Sequence, residues 1–252
     1  MSDLRESHQR GFLSKVPHYN SICNYLEDDG LTPVLESLIM QSSLPLKSVE
    51  VDFAVDSSGF TSCRFVRWFD HKYGCVRQKH AWVKAHLMCG VKTNIVTAIE
   101  IGGKDANDCP FLAPLVSTTA KNFPISEVSA DKAYGSAKNM NAIAAVGGTP
   151  FIAFRRSATV KPGGLWEKMF YYFQFRREEF LTHYHKRSNA ESTFSMMKRK
   201  FGDSIRSKTD TAMINETLCK VLCHNLVVLI HEMHELGVEP IFWADSSIIG
   251  QA

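Results

Sequence analysis

The chain has 252 residues, of which 44% are hydrophobic and 22% are charged, an ordinary balance for a globular protein with a sizeable core. Its 29 Lys and Arg residues only slightly exceed its 26 Asp and Glu residues, so the overall charge does not by itself indicate a nucleic-acid-binding protein. The polar, charged N-terminus excludes a secretory signal, because it contains no apolar segment of the required kind.

Cysteine use and hydropathy point to a reducing, aqueous compartment. The seven cysteines form no CxxC pair, which predicts free, buried thiols that serve in packing. The apolar stretch from Val221 to Ile230 contains His224 and Asn225 and is too short to cross a bilayer. We therefore expect a cytoplasmic protein that has no membrane partner.

The beginning of the chain divides into an arm and the start of a domain. Residues 1–30 are charged and have few periodic apolar positions, which predicts a connecting arm. Apolar residues then repeat at helical spacing, and Thr32 and Pro33 are typical of an N-cap and a first-turn proline. A short amphipathic helix is therefore expected to open a single domain over residues 31–252.

A strand with an acid at its end is predicted next. Apolar residues alternate from Val49 to Val55, and the alternation stops at Asp56, which is followed by a Ser-Ser-Gly sequence typical of a turn. The structural alternative for Asp56 is an acid that caps this turn. Two more β-rich runs follow, at 64–69 and 81–101, and the second is expected to split at 89–94 into two strands of a meander.

The middle of the chain repeats the pattern of an acid after a strand. A short strand leads through Val128 to Asp131, and a turn then enters a helix over about 137–146. Asp131 has a structural alternative as a helix-capping acid. A strand over 150–154 follows, and residues 155–183 are interpreted as a short insertion that starts as a loop. Asp108 is expected to be the N-cap of another helix, after the meander.

The stretch from Tyr184 to Lys198 is predicted to be a helix with a functional face. At about 100° per residue, Arg187, Glu191 and Lys198 fall on one stripe, and Tyr184 joins them if the helix extends back that far. Apolar residues occupy the adjacent stripe and can anchor the helix on a core. The structural alternative is a surface pair between Arg187 and Glu191, four residues apart. A long, mostly buried helix over 211–236 is expected to close the fold.

Three acids, Asp56, Asp131 and Glu191, are thus expected to converge. Carboxylates that are brought together repel one another, and their desolvation costs on the order of several kcal/mol unless a cation neutralises them. Ligands that are all oxygen favour Mg²⁺ or Mn²⁺ over zinc. The sequence therefore predicts a divalent metal site, with a basic stripe beside it that can contact phosphate.

The spacing of Tyr184, Arg187, Glu191 and Lys198 resembles the YREK signature of the DDE transposases that bacterial insertion sequences encode. The segments AVDSSGF around Asp56 and SADKAYGS around Asp131 are similar to the two aspartate motifs of that family. The resemblance implies an α/β, ribonuclease-H-like mixed sheet flanked by helices. It also implies a catalytic, Mg²⁺-binding (or Mn²⁺-binding) triad of Asp56, Asp131 and Glu191, with Tyr184, Arg187 and Lys198 binding DNA.

The implied activity is metal-dependent cleavage of double-stranded DNA at transposon ends, followed by strand transfer into target DNA. The implied partners are the two DNA segments and a second copy of the chain, in a homodimer associated with the nucleoid. Relatives commonly carry an end-reading helix-turn-helix module, which this sequence lacks, so a truncated copy is expected. The alternative function is therefore a non-catalytic DNA-binding or dimerising remnant that regulates transposition.

Other chemically suggestive residues receive structural interpretations. Trp166 is a candidate for stacking on a flipped base, although a buried aromatic anchor is favoured. The group Cys219, Cys223 and His224, and the run from His231 to His234, lack the ligand spacing of a metal site and are interpreted as packed residues. Asp52 is expected to lie on the Asp56 face but deeper in the strand.

Overall fold

The computed structural model describes residues 2–62, 72–74, 82–103 and 106–239. The strands are β1 (Asp52–Ser62), β2 (Trp82–Gly90), β3 (Val96–Gly102), β4 (Glu127–Ala130), β5 (Thr149–Ile152) and β6 (Ser204–Ile205). The α-helices in these ranges are α1 (Ser2–Gln9), α2 (Tyr19–Leu26), α3 (Leu31–Ser43), α4 (Leu112–Ala120), α5 (Ala137–Ala145), α6 (Gly164–Phe175), α7 (Arg177–Tyr184), α8 (Ser188–Phe201) and α9 (Asp210–Glu235).

The strands form one six-stranded mixed sheet in the order β3-β2-β1-β4-β5, with β6 also paired to β1. Strands β1, β2 and β3 form the antiparallel meander, whereas β4, β5 and β6 run parallel to their neighbours. This confirms the predicted α/β class and the two strands expected between residues 81 and 101. The β-rich run at 64–69 lies outside the described residues.

Helices cover both faces of the sheet, because its strands are apolar on both sides. One core packs Phe53, Val55 and Met88 against α4, α5, α6 and α7. The other packs Ala54, Leu87 and neighbouring strand residues against α3, α8 and α9. Alternate residues of β1 therefore face opposite helical layers. This alternation decides which layer each polar residue of β1 can reach.

Strand β1 is longer than predicted, and Asp56 lies in its middle. The strand continues through Ser57, Ser58 and Gly59 instead of turning, because β2 pairs with it over nearly its whole length. Gly59 has a packing role here: a Cβ atom at this position would lie 2.5 Å from the ring of Trp82. The prediction that Asp56 ends a strand, and its alternative role as a turn cap, are both wrong.

Three other local predictions can be compared with the structure, and the one for the Thr32 cap is wrong. The predicted connecting arm contains α1 and α2, and the side-chain amide of Asn215 in α9 donates hydrogen bonds to the carbonyl oxygens of Leu26 and Asp28. Gly30, not Thr32, is the N-cap of α3, and the Thr32 hydroxyl instead donates to the side chain of Asn215. The region from 155 to 183 begins as a loop and then forms α6 and α7.

The long helix α9 was expected from the sequence and packs mainly against α3. By length and composition it could cross a membrane, but 56% of its most apolar window is buried inside the fold. Buried polar residues such as Asn225 bond to the backbone of α3 and β3. The core helix of a globular protein shows the same combination.

Candidate active site

Asp56 lies at a gap along one edge of β1. That edge pairs with β4 through residues 52–55 and with β6 through residues 61 and 62, which leaves Asp56 between the two partners. The opposite edge is paired with β2 from Phe53 to Thr61, so the backbone at Asp56 has a partner strand on that side. Asp56 is half-buried and points to the same side of the sheet as Ala54 and Phe60.

Asp131 comes next to Asp56 through the parallel register. Val55 is paired with Ala130, the last residue of β4, so each acid directly follows a paired residue. The pairing of the two strands stops there because β4 ends at Ala130 while β1 continues, so Asp131 comes beside Asp56 at the point where the strands part. Asp131 also accepts a long hydrogen bond of 3.5 Å from the hydroxyl of Tyr184. The prediction that Asp131 follows a strand is confirmed.

Glu191 lies in the first turn of α8. That helix is anchored by Ala190, Phe194 and Met197, which are buried against the sheet as the apolar stripe predicted. The Glu191 side chain remains 51% exposed, and its carboxylate forms an ion pair of 2.7 Å with Arg187. The ion pair between Arg187 and Glu191, which was the structural alternative for Glu191, is therefore present.

The pKa of Asp56 is raised, and the other two acids contribute to the rise. Burial is the main cause that raises this pKa, and the charges of Glu191 and Asp131 raise it further. Two groups oppose the rise: the backbone N–H of Ser57, which donates to Asp56 at 2.9 Å, and the guanidinium of Arg187. Arg187 is thus the counter-charge of the acid group.

The four residues of the predicted functional stripe do not lie on one helix. Tyr184 ends α7, a 3₁₀ turn spans His185–Arg187, and α8 begins at Ser188. Arg187 still contacts Tyr184, with its guanidinium carbon 5.7 Å from the centre of the ring. The helix does not extend back to Tyr184, but the turn keeps Tyr184 and Arg187 beside Asp131 and Glu191.

Lys198 contacts a residue that the sequence interpretation missed. Its ammonium group donates a 2.6 Å hydrogen bond to the hydroxyl of Ser58, two residues after Asp56 on the same face of β1. The ammonium also lies 5.3 Å from the centre of the Phe60 ring. The alternation of Asp56, Ser58 and Phe60 was visible in the sequence, but the turn assigned to Ser-Ser-Gly hid it.

The donor set fits a hard divalent cation in kind, since it consists of carboxylate oxygens and contains no soft ligand. Across residues 2–62, 72–74, 82–103 and 106–239, however, no three His, Cys, Asp or Glu side chains are close enough to hold a metal ion. The ion pair with Arg187 accounts for part of this, because it holds the Glu191 carboxylate. Metal binding at this site would require Glu191 to exchange Arg187 for the cation.

Asp52 belongs to a separate ionic group. Its carboxylate pairs at 2.9 Å with Lys186, which also pairs with Glu127, the residue opposite Asp52 in the sheet. Glu127 in turn lies 2.7 Å from the ring nitrogen of His183. Asp52 thus shares a strand face with Asp56 but has its own cation, which supports its exclusion from the predicted site.

A buried polar network lies behind Asp56, on the other face of the sheet. The hydroxyl of Ser57 donates to Asp108 at 3.3 Å, and Asp108 also pairs with Lys84. His86 is fully buried; its Nδ1 lies 3.0 Å from the Tyr134 hydroxyl, and its Nε2 has no partner. Asp108 stands at the N-cap position as predicted, but its side chain makes no capping hydrogen bond.

His86 makes stability depend on pH. Burial lowers the pKa of His86 to about 4, against the opposing effect of the Asp108 charge. Between about pH 6.5 and pH 4 the unfolded chain binds a proton at this residue that the folded chain does not, so the free energy of unfolding falls as the pH falls. Urea denaturation across this range should show a shallower loss for His86→Gln than for the wild type. Equal pH slopes would contradict the assignment.

His224 and Trp166 behave as packed residues, whereas the prediction of packed residues is wrong for the run from His231 to His234, in which His231, Met233 and His234 are exposed. The ring of His224 bonds to the carbonyl oxygen of Asn94, and Trp166 packs edge-on against Phe154, with its indole N–H donating to Thr159. Cys89 is buried as expected for a packing thiol. Cys23 and Cys223 are exposed, so the prediction of buried thiols is wrong for these two.

Family comparison agrees with the observed fold. The family model described as the transposase DDE domain matches residues 47–226, from just before β1 to within α9. No curated protein and no solved structure matches the chain. The matched range includes the whole mixed sheet and all three predicted acids, and the sheet with its two helical layers is consistent with a ribonuclease-H-like DDE domain. This chain belongs to the family of transposase DDE domains.

Proposed function

We propose that this protein is a DNA transposase whose Asp56, Asp131 and Glu191 catalyse metal-dependent DNA strand cleavage at transposon ends and strand transfer into target DNA. The observation that supports it most is the register of β1 with β4, which brings Asp56 and Asp131 together within the matched family range, with the charge of Glu191 contributing to the raised pKa of Asp56. One half-buried carboxylate with two others nearby is costly unless positive charge is supplied, and Arg187 supplies part of it.

The three acids would hold Mg²⁺ or Mn²⁺, which, when bound, activates the attacking hydroxyl and neutralises charge on the scissile phosphate. In the first reaction, water attacks the phosphorus, and the bond from phosphorus to the 3′ oxygen breaks, leaving a 3′-hydroxyl and a 5′-phosphate. In the second, that 3′-hydroxyl attacks a phosphodiester of the target and displaces its 3′ oxygen. Both are in-line displacements, so positioning of the strand is essential.

The cations around the acids position the phosphates. Arg187 remains protonated: burial lowers its pKa, but Tyr184 and then the three acids outweigh this effect and raise it. If Glu191 held the cation instead of Arg187, the Arg187 guanidinium would be free to contact a phosphate oxygen. Lys198 donates a hydrogen bond to Ser58, which lies two residues after Asp56 in β1. From this position Lys198 can contact the same DNA strand as Arg187. Tyr184 completes the group through its contact with Asp131.

Plasmid nicking tests the proposed metal requirement. We expect the full chain to convert supercoiled DNA to the nicked form with Mg²⁺ or Mn²⁺, and to lose this activity in EDTA and regain it when Mg²⁺ is restored. Nicking that persists in EDTA would contradict the proposed chemistry. DNA binding without nicking under any of these metals would instead favour the non-catalytic, regulatory function.

Transposition joins two DNA ends, and a homodimer acting in the cytoplasm on nucleoid DNA is the assembly we propose. Analytical ultracentrifugation that shows one copy of the chain without DNA and two copies in the complex with DNA would support it. A single copy at all protein concentrations with DNA bound would contradict it.

A further inference from the structure

Two adjoining cavities lie beside Asp131, on the side formed by the turn after β4 and the loop after β5. They have volumes of about 440 Å³ and about 390 Å³, and both are lined by Lys132, Phe154 and Arg155. Asp131 lines the first cavity, while Lys161 and Trp166 line the second. The two cavities share these three lining residues and are together called the trough.

The trough is strongly basic. Its cations are Lys132, Arg155, Arg156 and Lys161, all with exposed side chains, whereas Asp131 is the only acid among the described residues that line it. Within the described part of the chain, none of these four cations has an ion-pair partner. They differ in this from Lys186 and Arg187, whose charges are neutralised by carboxylates. Exposed, unpaired cations along a concave path are suited to a polyanion.

Aromatic residues fix the shape of the trough. Phe154 packs edge-on against Trp166 and Phe170, and the indole N–H of Trp166 is bound to the carbonyl oxygen of Thr159. The ammonium of Lys161 lies 5.0 Å from the centre of the indole ring. This cation–π contact holds the Lys161 ammonium at the wall of the trough.

We propose that the basic trough, defined by Lys132, Arg155, Arg156 and Lys161, binds the backbone phosphates of the DNA strand that continues past the scissile phosphate on the Asp131 side. The inference rests on the proposed function, because it takes Asp131 as part of the cleavage site. Ser58 lies two residues after Asp56 in β1, and Lys198 is hydrogen-bonded to it. Neither residue lines the trough. The strand would then have cations on both sides of the acids.

Salt-dependent binding to a short fluorescent DNA duplex tests the trough. The variant Arg155→Gln with Lys161→Gln removes two cations from it, and Arg5→Gln with Lys121→Gln removes the same charges at exposed positions outside it. Each phosphate contact adds about 0.9 to the slope of log K against log salt. We expect the trough variant to lower the steepness of this slope by about 1.8, and the control variant to leave it nearly unchanged.

The possible outcomes separate this inference from the proposed function. Equal salt slopes for the two variants, in an experiment in which the wild type still nicks DNA, would overturn the proposed role of the trough. The proposed cleavage site would be unaffected. No salt-dependent binding by the wild type would overturn both. Melting temperatures of the two variants should match that of the wild type, because all four substituted side chains are exposed. Weakened binding that depends on DNA sequence would also contradict the inference, since phosphate contacts carry no sequence information.

Discussion

Replacing Asp131 with asparagine is expected to reduce DNA nicking by at least about a thousandfold, a loss of about 4 kcal/mol in transition-state stabilisation. The substitution keeps the size of the side chain but removes a charge needed to hold the metal. Asp56→Asn and Glu191→Gln should cause losses of the same order, because each removes one ligand of a single site. Initial nicking rates in Mg²⁺ measure the effect.

Asp52→Asn is the matched control for these variants. Asp52 lies on the same face of β1 as Asp56, but its carboxylate belongs to the Lys186 and Glu127 group. We expect this variant to keep nicking within about tenfold of wild type. A double variant of Asp56 and Asp131 should be no worse than either single variant, as is usual for residues that act as a unit. Undiminished nicking in Asp131→Asn and Asp56→Asn would refute the proposed roles.

Replacing Phe194 with alanine is expected to lower the free energy of unfolding by about 3 to 5 kcal/mol. Phe194 is 4% exposed, lies in the core between the sheet and α8, and packs near the ring of Phe60. The cavity left by its ring would remove the contacts that hold α8, and with it Glu191, against β1. Chemical denaturation gives the size of the loss.

Ser195→Ala provides the control on the same helix. Ser195 is exposed, so its substitution should change stability by less than about 0.5 kcal/mol. Since whole domains are stable by only about 5 to 15 kcal/mol, Phe194→Leu should be measured beside Phe194→Ala, as a milder change that keeps the fold. A Phe194→Ala variant as stable as Ser195→Ala would show that α8 is anchored by other contacts.

Local patterns in the sequence predicted several elements of the fold well. The meander formed by β2 and β3, the strand before Asp131 and the helix after it follow from alternation and turn residues in short segments. The apolar stripe of α8 correctly predicted which side of that helix is buried. These features depend on neighbours within a few residues, which the sequence displays directly.

The misplaced elements depend on contacts between distant parts of the chain. Ser57, Ser58 and Gly59 favour a turn locally, but pairing with β2 and the packing of Trp82 on Gly59 hold them in a strand. The helices of the N-terminal arm were missed in a similar way, since Asn215 bonds to this arm across the sequence. The contact of Lys198 with Ser58 was missed for the same reason, because it exists only when β1 continues past Asp56.

In the candidate site, too, local spacing predicted some features, and contacts between distant residues decided the others. Motif spacing predicted Asp56, Asp131 and Glu191 as a group, and the register of β1 with β4 places the first two side by side. The spacing could not predict that Arg187 would hold Glu191, since the stripe alone also allowed a metal ligand there. The basic trough was missed because its cations come from two loops that the fold brings together.

Paramagnetic broadening of amide NMR signals by Mn²⁺ tests the metal assignment most directly, because it locates the ion without relying on activity. We predict that broadening centres on the amides next to Asp56, Asp131 and Glu191 and disappears in the variant Asp56→Asn with Asp131→Asn. Broadening centred elsewhere, for example on the group of His231 and Glu235 near the end of α9, or unchanged in that variant, would contradict the assignment of these acids as the metal site.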